Sequence, residues 1–312
     1  MSVGACSDDA AHAKMQPGAG GHVDVTEGAG GSAGTHTTAM AGADASVHGP
    51  GGSGGGMNAS MDASTSDAAN ASNGDRYRPK PGTSWQWQLS GALDSSFDVQ
   101  MYDIDLIETT PAEIDTLHAA GRKVICYFDT AYEPGRPDSA ALMPYRGNPV
   151  DGWPGQFWLD VRRPAVVDAM KARIALAQDK GCDGVEADDV DARSNNPGFD
   201  TSPAEQQAFI RSLAVDAHAH GLAFGLKNDL EEIAVLIGDV DFAINEECFA
   251  FSECDALVPF ITAGKAVFEV EYTDGDLAAK GADVCPGANA LGFSTLIKRL
   301  DLDPPRFACS DL

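Results

Sequence analysis

Aromatic residues are missing from the first quarter of the chain. Of the 13 Phe, 4 Trp and 6 Tyr, none falls in residues 1–75, where Gly, Ala, Ser, Asp and Thr dominate and runs such as GGSGGG occur. Such a segment has too little apolar surface to offset its ordering entropy, which predicts a disordered tether over 1–75 and one folded domain over 76–312. No stretch of 18 or more apolar residues occurs either, which excludes a membrane-spanning helix. Basic residues are scarce: 21 Lys and Arg stand against 47 Asp and Glu, a net charge of -26. Eight acids against the single Lys14 lie in the first 75 residues, leaving -19 on the rest. A surface that acidic repels nucleic acid and anionic lipid and attracts cationic ligands, though it also serves plain solubility. No GxGxxG follows the first apolar run, and no GxxxxGK[ST] occurs, so the usual phosphate cradles are absent. No GxSxG marks a serine nucleophile, and His218 and His220 fall together on a predicted helix.

Seven cysteines are present. Cys126 and Cys182 lie in or beside apolar, strand-like runs and are read as buried thiols. Cys248 and Cys254, in ECFAFSEC, and the late pair Cys285 and Cys309 are candidate disulfides of a protein outside the cytosol. None of the spacings is that of a zinc site. The start MSVGACSDD lacks a basic region and a long apolar core, but Val3, Gly4, Ala5 and Cys6 resemble the end of a bacterial lipoprotein signal. On that reading Cys6 is a lipid anchor; the alternative is an unpaired cysteine in a tail.

Beyond the tether the chain repeats one unit: glycine, apolar run, acid, helix. Strands are predicted over 85–89, 99–106, 123–128, 157–159, 223–226, 242–245, 266–270 and 291–297, with another beginning at Gly184. Thr110, Pro111 and Glu113, and again Ser202, Pro203 and Glu205, carry the capping signature of a helix start. Val166, Met170, Ile174 and Ala177 recur at three or four residues, the stripe of an amphipathic helix that Gly181 ends. Strands alternating with helices imply a parallel sheet, and eight or so in about 235 residues imply a closed (β/α)8 TIM barrel, an α/β fold. A doubly wound open sheet is the alternative.

In such a barrel the carboxyl ends of the strands share one mouth, and these runs end in Asp103, Asp105, Asp129, Asp188, Asp189, Lys227, Glu246 and Glu271. The stretch GCDGVEADDVD alone places four acids within six residues. Paired carboxyls are what glycoside hydrolysis needs, one to donate a proton and one to meet the oxocarbenium-like centre, and crowding keeps one of them protonated. The same acids are compatible with a surface loop or with calcium or magnesium, but DDVD lacks the DxDxDG spacing of a calcium loop.

The succession MYDIDL, GRKVICYFDTAYEPGRPD, GWPGQFWLDV, GCDGVEADDVD, GLAFGLKND, FAINEECFAFSEC and GKAVFEVEY resembles glycoside hydrolase family 114, the endo-α-1,4-polygalactosaminidases. The resemblance covers about residues 85–272. It implies a barrel that cleaves α-1,4-linked galactosamine polymers of the galactosaminogalactan type, endo-acting and retaining, with no metal or organic cofactor. Asp188, after GVE, and Glu246, the first acid of NEEC, match the family's catalytic carboxyls, Asp188 as nucleophile and Glu246 as acid/base. Asp103, Tyr127, Glu133, Arg136, Trp153, Lys227, Asn228 and Glu271 match positions lining the family's cleft, and the Cys248 and Cys254 pair matches too. Where the family usually has EPDN this chain has Glu186, Ala187, Asp188 and Asp189, so Asp189 replaces an amide and is expected to bear on the nucleophile or on a substrate amine. The expected partner is a cationic amino-sugar polysaccharide, with no nucleic acid, and the expected state a monomer, extracellular or at the cell surface. A barrel that binds such a glycan without cleaving it, and a metal-dependent deacetylase, are the competing functions.

Overall fold

The structure, a computed structural model, describes residues 76–312; the predicted tether and Cys6 lie outside the described residues. Short runs rich in β-branched and aromatic residues form the strands Trp85–Gln88 (β1), Met101–Asp105 (β2), Lys123–Asp129 (β3), Arg146–Pro149 (β4), Phe157–Leu159 (β5), Gly184–Asp188 (β6), Ala223–Lys227 (β7), Phe242–Glu246 (β8), Val267–Tyr272 (β9), Ser294–Lys298 (β10) and Phe307–Ala308 (β11). The helices are Pro111–Ala119 (α1), Ser139–Leu142 (α2), Pro164–Lys180 (α3), Pro203–Ala219 (α4), Ile233–Leu236 (α5), Cys248–Phe251 (α6), Val258–Thr262 (α7) and Leu277–Leu291 (α8). Both predicted capping boxes form: Thr110 exchanges hydrogen bonds with Glu113, and Ser202 with Glu205. Gly181 closes α3 with a φ of 91°, a left-handed turn that costs glycine little.

Eight strands pair in parallel in the order β1, β2, β3, β6, β7, β8, β9, β10, with β11 antiparallel on the end. They curl into the (β/α)8 arrangement expected. Alternate side chains sort to two sides, as strand geometry requires. Trp85, Met101, Ile125, Ala223, Phe242, Phe268 and Leu296 cluster inside the barrel. Ile104, Val124, Val185, Phe224 and Ala243 pack outward with Val166, Ile174, Phe209 and Leu213 of α3 and α4. Gly225 is required inside, because a Cβ there would stand 2.4 Å from the Phe242 ring. The seam between β1 and β10 is bridged without a strand ladder: Trp85 Nε1 donates to the Ser294 carbonyl at 2.8 Å, and Leu89 N–H to the Leu302 carbonyl at 3.0 Å.

Three expectations need correction. The run at 157–159 is not a barrel strand; β5 pairs antiparallel with β4 as a hairpin beside the mouth. The last run does not begin at Leu291, which ends α8. That helix was illegible because Gly281, Pro286 and Gly287 lie within it. The two glycines make room for the rings of Phe307 and Phe249, which a Cβ would meet at 2.5 and 2.8 Å. Finally, Cys126 and Cys182 are not thiols. They form a disulfide, as do Cys248 with Cys254 and Cys285 with Cys309. The first ties β3 to the residues just before β6 across a separation of 56 residues. From that loop length, replacing both cysteines by alanine lowers the unfolding free energy by about 4 kcal/mol, checked by denaturant titration.

Candidate active site

Lys227 ends β7 inside the mouth of the barrel, and the site is built around it. Its Nζ lies 2.9 Å from Asp188 Oδ1 at the end of β6 and 3.0 Å from Glu246 Oε2 at the end of β8, with Glu186 Oε1 at 3.6 Å. Those contacts hold the Asp188 and Glu246 oxygens within about 6 Å of each other. Below it the ammonium rests 5.0 Å from the Trp87 ring. Burial works against that charge, but Asp188, Glu246 and Glu186 outweigh it and hold Lys227 well above the ordinary lysine range.

Each of the two carboxylates has its own further donors. Tyr127 Oη donates to Asp188 Oδ2 at 3.0 Å, and the Asp189 N–H to Asp188 Oδ1 at 2.8 Å. Asn228 Nδ2 donates to Glu246 Oε2 at 3.2 Å, and the Tyr272 hydroxyl donates to Oε1. Burial, reinforced by the neighbouring carboxylates, raises both tyrosines well above their usual range, so they remain donors.

Other acids crowd one another around this pair. Asp103 and Glu186 are fully buried side by side; burial lifts Asp103 to about 7 and Glu186 well above its usual range. Asp129, buried, and Asp189, half-buried at the cavity wall, influence each other too, with burial lifting Asp129 to about 6 and Asp189 well upward.

Above the pair opens a cavity of about 350 Å³. Asp188, Asp189, Asn228, Glu246 and Trp153 all line it, and Trp153 is 39% exposed, a flat apolar face turned to solvent. Nine carboxylates and no Lys or Arg line the cavity. A second cavity, of about 340 Å³, lies at the other end of the barrel seam, remote from these acids.

Four residues expected along the cleft stand elsewhere. Asp103 is sealed beneath Lys227 with Glu186. Glu133 and Arg136 belong to an ion-pair network with Asp105 and Glu108, Arg136 Nη2 lying 2.9 Å from Asp105 Oδ2. Glu271 is on the opposite face of β9 from the mouth. Its carboxylate accepts the Phe249 and Ala250 N–H groups at 2.8 and 3.2 Å and pairs with Lys280 at 2.8 Å. The two-residue period of the strand turns Tyr272 to the cleft in its place. Tyr272, Asp191, Asp229, Glu247, Phe251 and Leu300 also line the cavity without having been foreseen. Glu247 and Asp229 have φ of 59° and 47°, loop geometries that no periodicity reveals.

The model of glycoside-hydrolase family GH114 matches residues 65–312. The chain belongs to this family. As a GH114 member it is a glycoside hydrolase. It is similar to the crystal structure of Aspergillus fumigatus Ega3 in complex with galactosamine, at 39% identity over 75% of this chain and 97% of that one, with a TM-score of 0.72. The glycoside hydrolase domain of PelA from Pseudomonas aeruginosa is similar in fold at 13% identity, covering 72% of this chain and 97% of that domain with a TM-score of 0.57. No curated protein matches.

Proposed function

We propose that this GH114 chain hydrolyses α-1,4-linked galactosamine polymers internally and with retention, using Asp188 as nucleophile and Glu246 as acid/base. The observation that carries the reading is the Lys227 bridge, which sets two carboxyls within about 6 Å beneath an open cavity whose charged lining residues are all acids. Retaining enzymes hold their carboxyls about 5–5.5 Å apart, whereas inverting ones need room for a water between them. Glu246 protonates the glycosidic oxygen while Asp188 attacks the anomeric carbon, forming a glycosyl ester as the bond to the leaving sugar breaks. Glu246 then takes a proton from the water that releases the sugar. Tyr127 orients Asp188, Tyr272 and Asn228 orient Glu246, and Trp153 offers a face for a sugar ring. The galactosamine found with the similar Ega3 supports this substrate, and the three disulfides support an extracellular or cell-surface setting.

Mass spectrometry of products from de-acetylated and acetylated polymer tests the reading. Short galactosamine oligomers are expected from the wild type and none from Glu246→Gln; intact polymer from both would leave a glycan-binding barrel instead. Capture of a polycation by an acidic cleft also sets a salt dependence. Between roughly 0.05 and 0.5 M salt, kcat/KM falls about tenfold as the Debye length shrinks, and a flat response in steady-state assays would remove electrostatic capture.

A further inference from the structure

The seam of the barrel holds a cavity that the hydrolytic chemistry does not use. No α-helix follows β10 among the described residues; the chain turns back as β11, which lies on β10 and keeps it from laddering with β1. Between the segment leading into β1 and the elements flanking β10 a space of about 340 Å³ remains, within the range of small-molecule sites. Ser84, Trp85, Asn289, Ser294, Arg306 and Ser310 are among its walls. The Cys285–Cys309 disulfide and the Asn289 Nδ2 bond to the Cys309 carbonyl at 3.0 Å pin the tail wall, so the cavity is preformed.

Arg306 sets this cavity apart. Every other arginine among the described residues engages a carboxylate or a carbonyl, but Arg306 engages neither. Its guanidinium stands 5.1 Å from the Phe97 ring, and its Nε is buried with no hydrogen-bond partner. Burial draws it below the ordinary arginine range, and the exposed Asp311 offsets that only in part. In a domain with a net charge of -19, a half-buried cation that no acid has claimed calls for an anion from outside. We propose that the seam cavity binds a single carboxylated sugar, a hexuronate or similar acid, with its carboxylate on Arg306 and its hydroxyls on Ser84 and Asn289.

The chemistry of the walls selects this class. A guanidinium takes a carboxylate through two parallel hydrogen bonds, and one positive charge with Asp311 nearby matches a monoanion better than a phosphate dianion. The remaining polar groups suit sugar hydroxyls. Ser84 Oγ accepts from the Gln100 N–H at 3.1 Å and keeps its own proton to donate, while Asn289, whose amide N–H is engaged, offers Oδ1 as an acceptor. A bare carboxylate would leave most of the space unfilled. The catalytic cleft, lined by acids, repels the same ligand, so the two sites take opposite charges. The seam site does not rest on the galactosamine reading.

Thermal unfolding of the full chain at pH 7 and fixed ionic strength, with galacturonate as the probe, tests the proposal. With a Kd on the order of 1 mM, galacturonate at about 50 mM raises Tm by about 5 °C, whereas galactose or acetate at the same concentration moves it by less than about 1 °C. The shift persists in Glu246→Gln, which keeps the binding out of the cleft. Arg306→Gln weakens the probe by about tenfold or more, and Arg306→Lys, which keeps the charge without the fork, by about threefold to tenfold. Both retain the hydrolytic activity and ligand-free Tm of the wild type. An equal shift with galactose means that no charge is read, and an equal shift with acetate or inorganic phosphate means an adventitious ion only. Either result overturns the proposal, as does a shift lost in Glu246→Gln or intact in Arg306→Gln. Should Arg306→Gln not fold, Arg306→Lys decides, and undiminished binding there overturns the site.

Discussion

Asp188→Asn lowers kcat on de-acetylated polymer by about four orders of magnitude or more while KM stays within about threefold. The asparagine keeps the shape of the side chain; its one oxygen can still accept from Lys227, while its amide N–H can donate to the Tyr127 hydroxyl oxygen, so the fold and the cleft persist. What disappears is the attack on the anomeric carbon. The division of labour between the carboxyls is checked by a substrate with a good leaving group, such as an aryl glycoside. Its hydrolysis tolerates Glu246→Gln far better than Asp188→Asn, because Glu246 serves mainly to protonate a poor leaving oxygen. Equal sensitivity in the two variants, or the reverse order in steady-state assays, would exchange the roles or end them.

Lys227→Met has the second largest effect, on stability and activity together. The variant leaves Asp188, Glu246 and buried Glu186 facing one another without the ammonium that lies 2.9 to 3.6 Å from them. Removing one partner from a buried ionic cluster costs about 3–5 kcal/mol, measurable by denaturant unfolding at pH 7. The pH profile changes in a definite direction. Burial raises Asp103 and Glu186, and Lys227 opposes that rise, so its removal pushes both further up, and the acid limb of kcat/KM moves to higher pH. With the cation that spans Asp188 and Glu246 gone, activity falls by about a hundredfold or more. An unmoved acid limb would mean that Lys227 supports the fold without tuning the pair.

The barrel was legible because its signals are local. Glycine stops, capping boxes and β-branched runs each act within a few residues, and eight repeats of one unit leave few arrangements open. Asp188, Lys227 and Glu246 were legible for the same reason, each being the last residue of its strand. The misreadings have non-local causes. Cys126 and Cys182 meet only because β3 and β6 are neighbours, although 56 residues separate them. Glu271 was placed one residue out of phase, and in a strand one residue is the difference between mouth and helix layer. Asp229 closes GLAFGLKND but was not picked out as lining the cleft, since its burial depends on Gln206 reaching it from α4.

The Glu271 carboxylate that turned away from the cleft has a practical consequence for engineering. It grips the first N–H groups of α6 from beneath, Lys280 steadies it from α8, and the Cys248–Cys254 bond closes the segment into a ring. Glu247 and Glu253, both lining the cavity, border that ring. The segment from Glu247 to Cys254 is therefore a replaceable cassette with two anchors, and a chimera that imports it from a relative must import Glu271 and Lys280 as well.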